Sequence, residues 1–596
     1  MNNSTDTLLF YDIEVFATQS CVVFLHADGT IARIFTDNLD GLGEYIDEGA
    51  IKGAGYGALK EFLHGKTLVG YNNYHYDDWI LNAMIRFAEH DSQATIVKDW
   101  NDAIVNGSSP VNMAPINESA LHCKTIDAYQ QIDVSRPSLK KIEGNMGHSI
   151  IESSVPFDTT DPLTPEENLE VVRYCINDVK ETIAVYGMRG DYFASKETIL
   201  KMLPKETRER ARKWNTTSIV GHLLRPKHGA KHKRAVSDKM LERVPMDVAE
   251  MWRQIDVDYR TLNTKKVVTE EYGVKIEFGF GGLHGAPDKF LDVRNVKLMD
   301  VNSMYPSIII LLDGLGDKTA MYDGIRKKRI AIKHSGGDPG LSAAYKLILN
   351  STYGILNYEH SQIYNPHLAY SVCIYGQIAL YDLFGRLIQA GCRPINLNTD
   401  GITFLPDNAG EYMTVKADWE QEFGLSLDID DFKRWVQKDV NNYIAIKPDD
   451  TVKVKGGDVN KYNGGSFVRN NDIRITHMAL VDKLLYGTSP ADTIKKNMNN
   501  PILFQYILQA GKTYQGTYDN KGNKLNNINR VFAGKDTGYE LCKVRQDGGR
   551  VKFADAPDDM ILFNGDLRNI DLAKFKKELN KQWYYDLAIK RLQGWR

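Results

Sequence analysis

The chain has 596 residues, a formal net charge of −3, 42% hydrophobic and 25% charged residues, a composition that suits a globular protein of several domains. No apolar run reaches the ~18 residues that a membrane helix needs, and the start "TLLFYDIEVF" lacks the basic region and cleavage site of a secretion signal. The six cysteines are scattered without a Cys-x-x-Cys pair, which argues against a zinc site or disulfide framework and fits a reducing compartment. The overall balance does not advertise nucleic-acid binding, but the runs at 225–234 and 325–333 are basic. Such runs are usually solvated faces; here they also suit an enzyme with central carboxylates and cations along a polyanion's path.

The segment "TLLFYDIEVF" reads as a strand. Asp12 and Glu14 stand two apart, so a strand puts both on one face; by themselves they would pass for a polar strand end. In "LVGYNNYHYDDWIL" at 68–81 an apolar strand end gives way to Asn72, Asn73 and then Asp77-Asp78 before a helix, where either Asp would serve as a cap. "LTPEENLEVVRYCINDVKETIAVYG" carries a helix-start signature, Thr164 as N-cap, Pro165 at N1 and Glu167 at N3. Tyr174 and Asp178, four apart, share a face of that helix.

"NVKLMDVNSMYPSIII" at 295–310 reads as a strand that breaks at Pro306, with Asp300 near its end. "DGIRKKRIAIKHSGGDPG" reads as a helix that stops at the Gly-Gly-Asp-Pro-Gly turn, with Arg329 and Lys333 four apart. In "YKLILNSTYGIL", Lys346, Asn350, Tyr353 and Gly354 fall on one helix face. Polar stripes usually face solvent, but a glycine weakens a helix by about 1 kcal/mol and is useful where another backbone or a base must approach. "INLNTDGITF" at 395–404 alternates around Asp-Gly, a hairpin signal with Asp400 in the turn and Asn398 two residues before it.

Taken together, these segments resemble family B DNA polymerases carrying a 3′–5′ exonuclease of the DEDD type, in its tyrosine variant. Asp12 and Glu14 match the first exonuclease motif, Asn72 or Asn73 with Asp77 the second, and Tyr174 with Asp178 the third. "D-x-x-S-x-Y-P-S" from Asp300 resembles motif A, with Met304 where Leu is usual; K-x-x-x-N-x-x-Y-G from Lys346 resembles motif B; Thr399-Asp400 keeps half of motif C, with Asn398 for its first Asp and Gly401 for its Ser. "FGFGGLHG" at 278–285, with Gly281 and Gly282, resembles the loop between the two template paths, without its Tyr. Tyr443 and Lys455 fit the primer-gripping Lys-x-Tyr region, where Asn441 replaces Lys. A strand-turn-strand without function explains these last two segments equally well.

The resemblance implies an α/β multi-domain protein, an RNase H-like exonuclease domain followed by a right-hand palm, fingers and thumb. Its boundaries fall at 1–190 for the exonuclease domain, 191–270 for a connecting region, 271–317 and 355–470 for the palm, 318–354 for a helical fingers hairpin and 471–596 for the thumb. It implies two Mg²⁺ or Mn²⁺ ions per active site, hard cations for oxygen ligands. Asp300, the Val301 carbonyl and Asp400 would hold one pair; Asp12, Glu14, Asp77 and Asp178 the other, with Tyr174 orienting the attacking water. Tyr305 would reject a 2′-OH, the group that tells RNA from DNA. Arg329, Lys333 and Lys346 would meet the triphosphate of a dNTP, with Asn350, Tyr353 and Gly354 at the nascent pair; Arg326 is a weaker candidate. Asn72, Asn73, Gly281, Gly282, Tyr443 and Lys455 would touch DNA.

The implied partners are primer-template DNA, single-stranded 3′ ends and dNTPs, with a clamp, helicase or single-strand-binding protein as further replisome factors, no membrane, and a monomeric state. The expected location is the cytoplasm, that of a bacterial host for a phage-encoded chain. Asp12 at the very start resembles the compact phage and plasmid enzymes, with the N-terminal domain of larger members absent or reduced. The 46 residues from Asp300 to Lys346 and the 46 from Gly354 to Asp400 leave no room for extra subdomains, so terminal-protein priming is not expected. The last helical stretch, with Lys574, Lys577 and Lys581 on one face, would hold duplex phosphates or merely solubilise. Two alternatives stay open: an exonuclease with a degenerate polymerase half, and a non-catalytic single-strand-binding scaffold.

Overall fold

Four sheets organise the chain in a computed structural model that describes residues 8–108, 113–116, 123–229, 236–254, 264–407 and 410–595. Positions 230–234 of the first basic run lie outside them. The first sheet is built on β1 (Leu8–Val15), β2 (Ser20–Leu25), β3 (Ile31–Thr36), β4 (Thr67–Gly70) and β5 (Lys124–Asp127), in the order β3-β2-β1-β4-β5. β1 to β3 pair antiparallel, while β4 and β5 run parallel to β1. This mixed order is the RNase H-like arrangement expected.

Helices α1 (Asp77–Arg86), α2 (Leu139–Met146) and α3 (Pro165–Met188) accompany this sheet. The start of α3 is as the sequence specifies: Thr164 Oγ1 accepts from the Glu167 N–H, and the Glu167 carboxylate accepts from the Thr164 N–H, a box worth about 1 kcal/mol. Val171, Cys175, Val179 and Thr182 of α3 are buried, and Asp178 shares their inward stripe at helical spacing. Apolar contacts seat the helix; the carboxylate is carried in with them. Asp77 and Asp78 do not cap α1. They are its first two residues, both buried, and Tyr76 at the cap position makes no side-chain capping bond.

The second sheet has nine antiparallel strands: β6 (Lys266–Glu271), β7 (Val274–Gly279), β8 (His284–Ala286), β9 (Leu291–Val301), β10 (Arg393–Asn398), β11 (Gly401–Leu405), β12 (Leu427–Asp439), β13 (Asn442–Ile446) and β14 (Val452–Lys455). Their order is β14-β13-β12-β9-β11-β10-β8-β7-β6. β9 therefore lies between β11 and β12, and each neighbour delivers residues next to Asp300. The strand does not run to Pro306 as expected. It ends at Val301, and Pro306 sits in the first turn of α4 (Met304–Leu311), where its missing N–H would have no partner anyway.

Helices α5 (Thr319–Ser335) and α6 (Pro339–Leu356) form the expected hairpin. Gly336 takes the left-handed conformation at the end of α5, and Asp338 caps α6 through the N–H groups of Gly340 and Leu341. Helix α7 (Pro366–Gln389) packs its apolar residues into the largest core, shared with α4, α6 and β9 to β11.

The C-terminal region carries two further sheets. β15 (Tyr506–Gln509), β18 (Ile528–Ala533) and β21 (Met560–Leu562) form one sheet; β16 (Tyr514–Asp519), β17 (Lys524–Leu525), β19 (Leu541–Arg545) and β20 (Arg550–Lys552) form another. The final helical stretch is two helices, α8 (Leu572–Glu578) and α9 (Lys581–Gln593). Asn580 caps α9 by accepting from the Trp583 N–H, and this cap puts Lys581 on a different helix from Lys574 and Lys577. Among the described residues no helix is long and apolar enough to cross a membrane.

Candidate active sites

β9 brings Asp300 to the strand end, where it pairs with Gly401 on one side and Asp428 on the other. The hairpin β10–β11 presents Asp400. Asn398 and Gly401 are its last paired residues, so the connecting residues are Thr399 and Asp400 rather than Asp400 and Gly401. Thr399 has φ +58°, and the Asp400 N–H donates to the Asn398 carbonyl at 2.6 Å, closing a three-residue turn. A positive φ at a β-branched residue is an outlier, and such strain persists only where the surroundings impose it. Gly401 serves another end: a Cβ there would stand 2.9 Å from the Met299 carbonyl and 3.0 Å from Asp300 Oδ1.

These residues share a cavity of about 490 Å³. Its wall includes Asp300, Val301, Ser303 and Tyr305 from the β9–α4 segment, Arg329 and Lys333 from α5, Lys346, Asn350 and Tyr353 from α6, Thr399 and Asp400 from the turn, and Asp428 from β12. Burial pushes the Asp300 carboxyl up to about 7, with Asp400 adding and Lys453 opposing. Asp400, exposed at the turn tip, is also raised by the desolvating walls, while Lys455 and Lys453 draw it down. Two carboxyls raised by burial fit a cation between them. Arg329 Nη1 donates to Ser303 Oγ at 3.2 Å, and Lys333 Nζ lies 3.7 Å from Asp428. The Tyr305 and Tyr353 rings meet at 4.2 Å, and the buried Tyr305 hydroxyl has no hydrogen-bond partner among the described residues.

A second acidic centre lies on the first sheet. Ligand atoms of Asp12, Glu14 and Cys175 fall within 4.8 Å of one another. Burial, then Asp178, raises Asp12 to about 8 against the pull of Lys140; burial and Asp12 raise both Glu14 and Asp77. Lys140 Nζ donates to Asp178 and, at 3.1 Å, to Glu143, and it stands 4.5 Å above the Tyr174 ring. Crowded buried carboxylates with one cation between them are costly unless a further cation or protons join them. The oxygen-rich donor set fits a divalent metal.

No protein-family model matches the chain. Curated relatives do. DNA polymerase 1 of Sulfolobus acidocaldarius is 22% identical over 249 residues, 39% of this chain and 26% of that protein. DNA polymerase 1 of Saccharolobus solfataricus is 28% identical over 177 residues, 29% of this chain and 19% of that protein. Parts of the chain are thus similar in sequence to archaeal DNA polymerases. The matched segments span only about a quarter or less of these relatives' lengths. A family B DNA polymerase structure from Pyrobaculum calidifontis aligns over 98% of this chain and 77% of that one, at 14% identity and a TM-score of 0.40.

The remaining candidates are placed as follows. Gly354, Gly281, Gly282, Tyr443 and Lys455 lie outside the cavity wall. Gly354 is exposed, with open space where a Cβ would be. Tyr443 is stacked on Trp435 at 4.2 Å and paired across the strands with Lys455. Asn441 is a turn residue whose N–H donates to Asp439. Asn398 donates to the Val440 carbonyl at 3.1 Å. Arg326 is held by Asp323 at 2.8 Å on its own helix. Asn73 is fully buried and donates to Asp78, whereas Asn72 is half-exposed in a left-handed conformation, its N–H on Asp127.

Lys140, Cys175, Asp428 and Lys453 are not singled out by the sequence pattern. Asp428 and Asp430 alternate in "LDIDD", and Lys453 and Lys455 in "VKVK", so period-two reading from the known site strands would have found these. Nothing in the sequence marks Lys140, which comes to Asp178 only by helix packing.

Proposed function

We propose that the chain is a template-directed DNA polymerase that extends a primer 3′-OH with dNTPs and removes mispaired 3′ ends at a separate 3′–5′ exonuclease centre. The observation that carries the first half is the cavity where Asp300, Asp400, Tyr305, Arg329, Lys333, Lys346, Asn350 and Tyr353 meet. Asp300, Asp400 and the Val301 carbonyl would hold two divalent ions, which supply charge stabilisation for in-line displacement when bound. Arg329, Lys333 and Lys346 orient the triphosphate. Tyr305, packed against Tyr353, closes the floor under the sugar and favours deoxynucleotides. Asp12, Glu14, Asp77 and Asp178 would hold the second pair of ions. Tyr174 orients the water, and half-exposed Asn72, rather than buried Asn73, would meet DNA.

In this reading residues 1–190 form the exonuclease domain, 191–270 a connecting region, 271–317 and 355–470 the palm, 318–354 the fingers, and 471–596 the thumb. Gly281, Gly282, Tyr443 and Lys455 line the DNA path, and the setting is phage or plasmid replication by a monomer. Primer extension with Mg²⁺, with and without dNTPs, tests it. Synthesis with dNTPs and shortening without them is the expected pair of outcomes, and Asp400→Ala should abolish the first and keep the second. Shortening without synthesis in the unaltered chain would leave an exonuclease alone; neither reaction would overturn both halves.

A further inference from the structure

Arg530 is a fully buried arginine with no carboxylate bonded to it among the described residues. It projects from β18 and is satisfied by neutral oxygens: Nε donates to Gln505 Oε1 at 3.0 Å, Nη1 to the Gly565 carbonyl at 2.7 Å, and Nη2 to the carbonyls of Gly144 at 3.2 Å and His148 at 2.7 Å. Burial draws its pKa down to about 10, with Asp566 and Glu143 opposing. A buried charge is tolerated only where its donors are met, and here two of the acceptors belong to a different part of the chain. Gly144 is in the last turn of α2, at the negative end of the helix dipole, and its carbonyl, which also accepts from the Gly147 N–H at 3.2 Å, matches the guanidinium to that helix end.

The same short helix is held by the C-terminal region at two more points. Lys141 Nζ donates to the Ile507 carbonyl at 3.1 Å, and Asn471 Nδ2 donates to the Asn145 carbonyl at 2.7 Å. Gly144 packs closely against this region: a Cβ there would lie 3.1 Å from Ile507 Cδ1 and 3.2 Å from Ile150 Cδ1. Along an adjoining strip α2 carries Lys140, which donates to Glu143 and Asp178 and stands over the Tyr174 ring. The helix thus bridges a C-terminal sheet and the acidic centre of the first sheet. It is eight residues long, too short to hold its own position in isolation.

We infer that Arg530 is a positioning residue for the exonuclease centre: by gripping the C-terminal end of α2 it fixes where Lys140 stands against Asp178 and Tyr174. The C-terminal region would then hold duplex DNA and also set proofreading geometry, so the two tasks share one rigid contact. This inference rests on the exonuclease reading above. A displaced α2 moves Lys140 away from the acids without touching the polymerase cavity, so the loss should fall on one reaction.

The experiment is a double-mutant cycle between Arg530→Gln and Lys140→Ala in the full chain, read as single-turnover shortening of a single-stranded 3′ end and as primer extension. Arg530→Gln should slow shortening about 10- to 100-fold and leave extension within about 2-fold. In the Lys140→Ala background it should add nothing, because both changes remove one arrangement. Extension falling in step with shortening, or the full loss recurring in the Lys140→Ala background, overturns the inference. If Arg530→Gln does not fold, Lys141→Met replaces it in the cycle, with a smaller loss of the same non-additive kind expected and additive losses overturning it. An unaltered chain that shortens no DNA refutes the exonuclease reading itself; an active chain with additive losses refutes only the role of Arg530.

Discussion

The Val301 N–H donates to the Asp400 carbonyl at 2.7 Å. That bond extends the ladder in which Asp300 faces Gly401, so two carboxylates a hundred residues apart in sequence are set by backbone alone. Asp400→Asn keeps the bond and removes the charge. It should lower extension on the order of 10³-fold, several kcal/mol of lost metal-dependent stabilisation, with single-stranded DNA shortening unchanged. Parallel assays of the two reactions check this, and near-normal extension would refute the role of Asp400.

Gly282 is the other support of that turn. A Cβ on it would come within 2.9 Å of Thr399 Cγ2 and 3.1 Å of its Cα, and its φ of +128° suits glycine alone. Gly282→Ala should push the turn out of place and cost about 1–3 kcal/mol in stability. Extension should drop at least about 10-fold while shortening persists. Thermal unfolding with both assays decides; a variant with unaltered extension would mean the turn does not lean on Gly282.

Asn398 tests the departure from the family pattern. Its amide donates to the Val440 carbonyl outside the cavity wall. Asn398→Asp replaces a donor with an acceptor opposite a carbonyl, so it should cost about 1 kcal/mol of stability and change extension less than about 3-fold. A large gain or loss of extension with unchanged melting would show that this position reaches the metals.

Asp12 gives a pH dependence with a definite sign. Its folded carboxyl is raised to about 8, burial first and Asp178 second, against Lys140, whereas an unfolded aspartate titrates near about 3.9. Between those values the folded chain keeps a proton that the unfolded chain has lost, so this group's contribution to stability falls as pH rises. In EDTA, Asp12→Asn should therefore melt above the parent at pH 8, and the difference should vanish towards pH 4. Mg²⁺ at pH 8 should raise the parent's melting temperature more than the variant's. A difference that does not change with pH would contradict the burial argument.

Much of both sites was legible because their residues lie on elements with strong local signals. The Thr164–Glu167 capping box sets the start of α3 and hence the face that carries Tyr174 and Asp178. The glycine-proline turn at 336–340 sets the α5–α6 hairpin and thus Arg329, Lys333 and Lys346. The alternation around residue 400 set a hairpin, though its turn moved one residue: Asp-Gly is the favoured pair for an unconstrained turn, but here β9 passes so close that the glycine is needed in the strand, and Thr399 takes the strained position instead.

The local elements that carry the candidate carboxylates follow from the sequence by itself, because periodicity, caps and turn residues act within a few positions of one another. Which side chains share a charge field was decided only by tertiary structure. Asp428 reaches Asp300 through a strand pairing across more than a hundred residues, Lys140 reaches Asp178 through helix packing, and Arg530 reaches α2 from the far end of the chain. None of these contacts has a local signal, since each is made by burial and backbone pairing of segments whose separation in sequence carries no information about their distance in space.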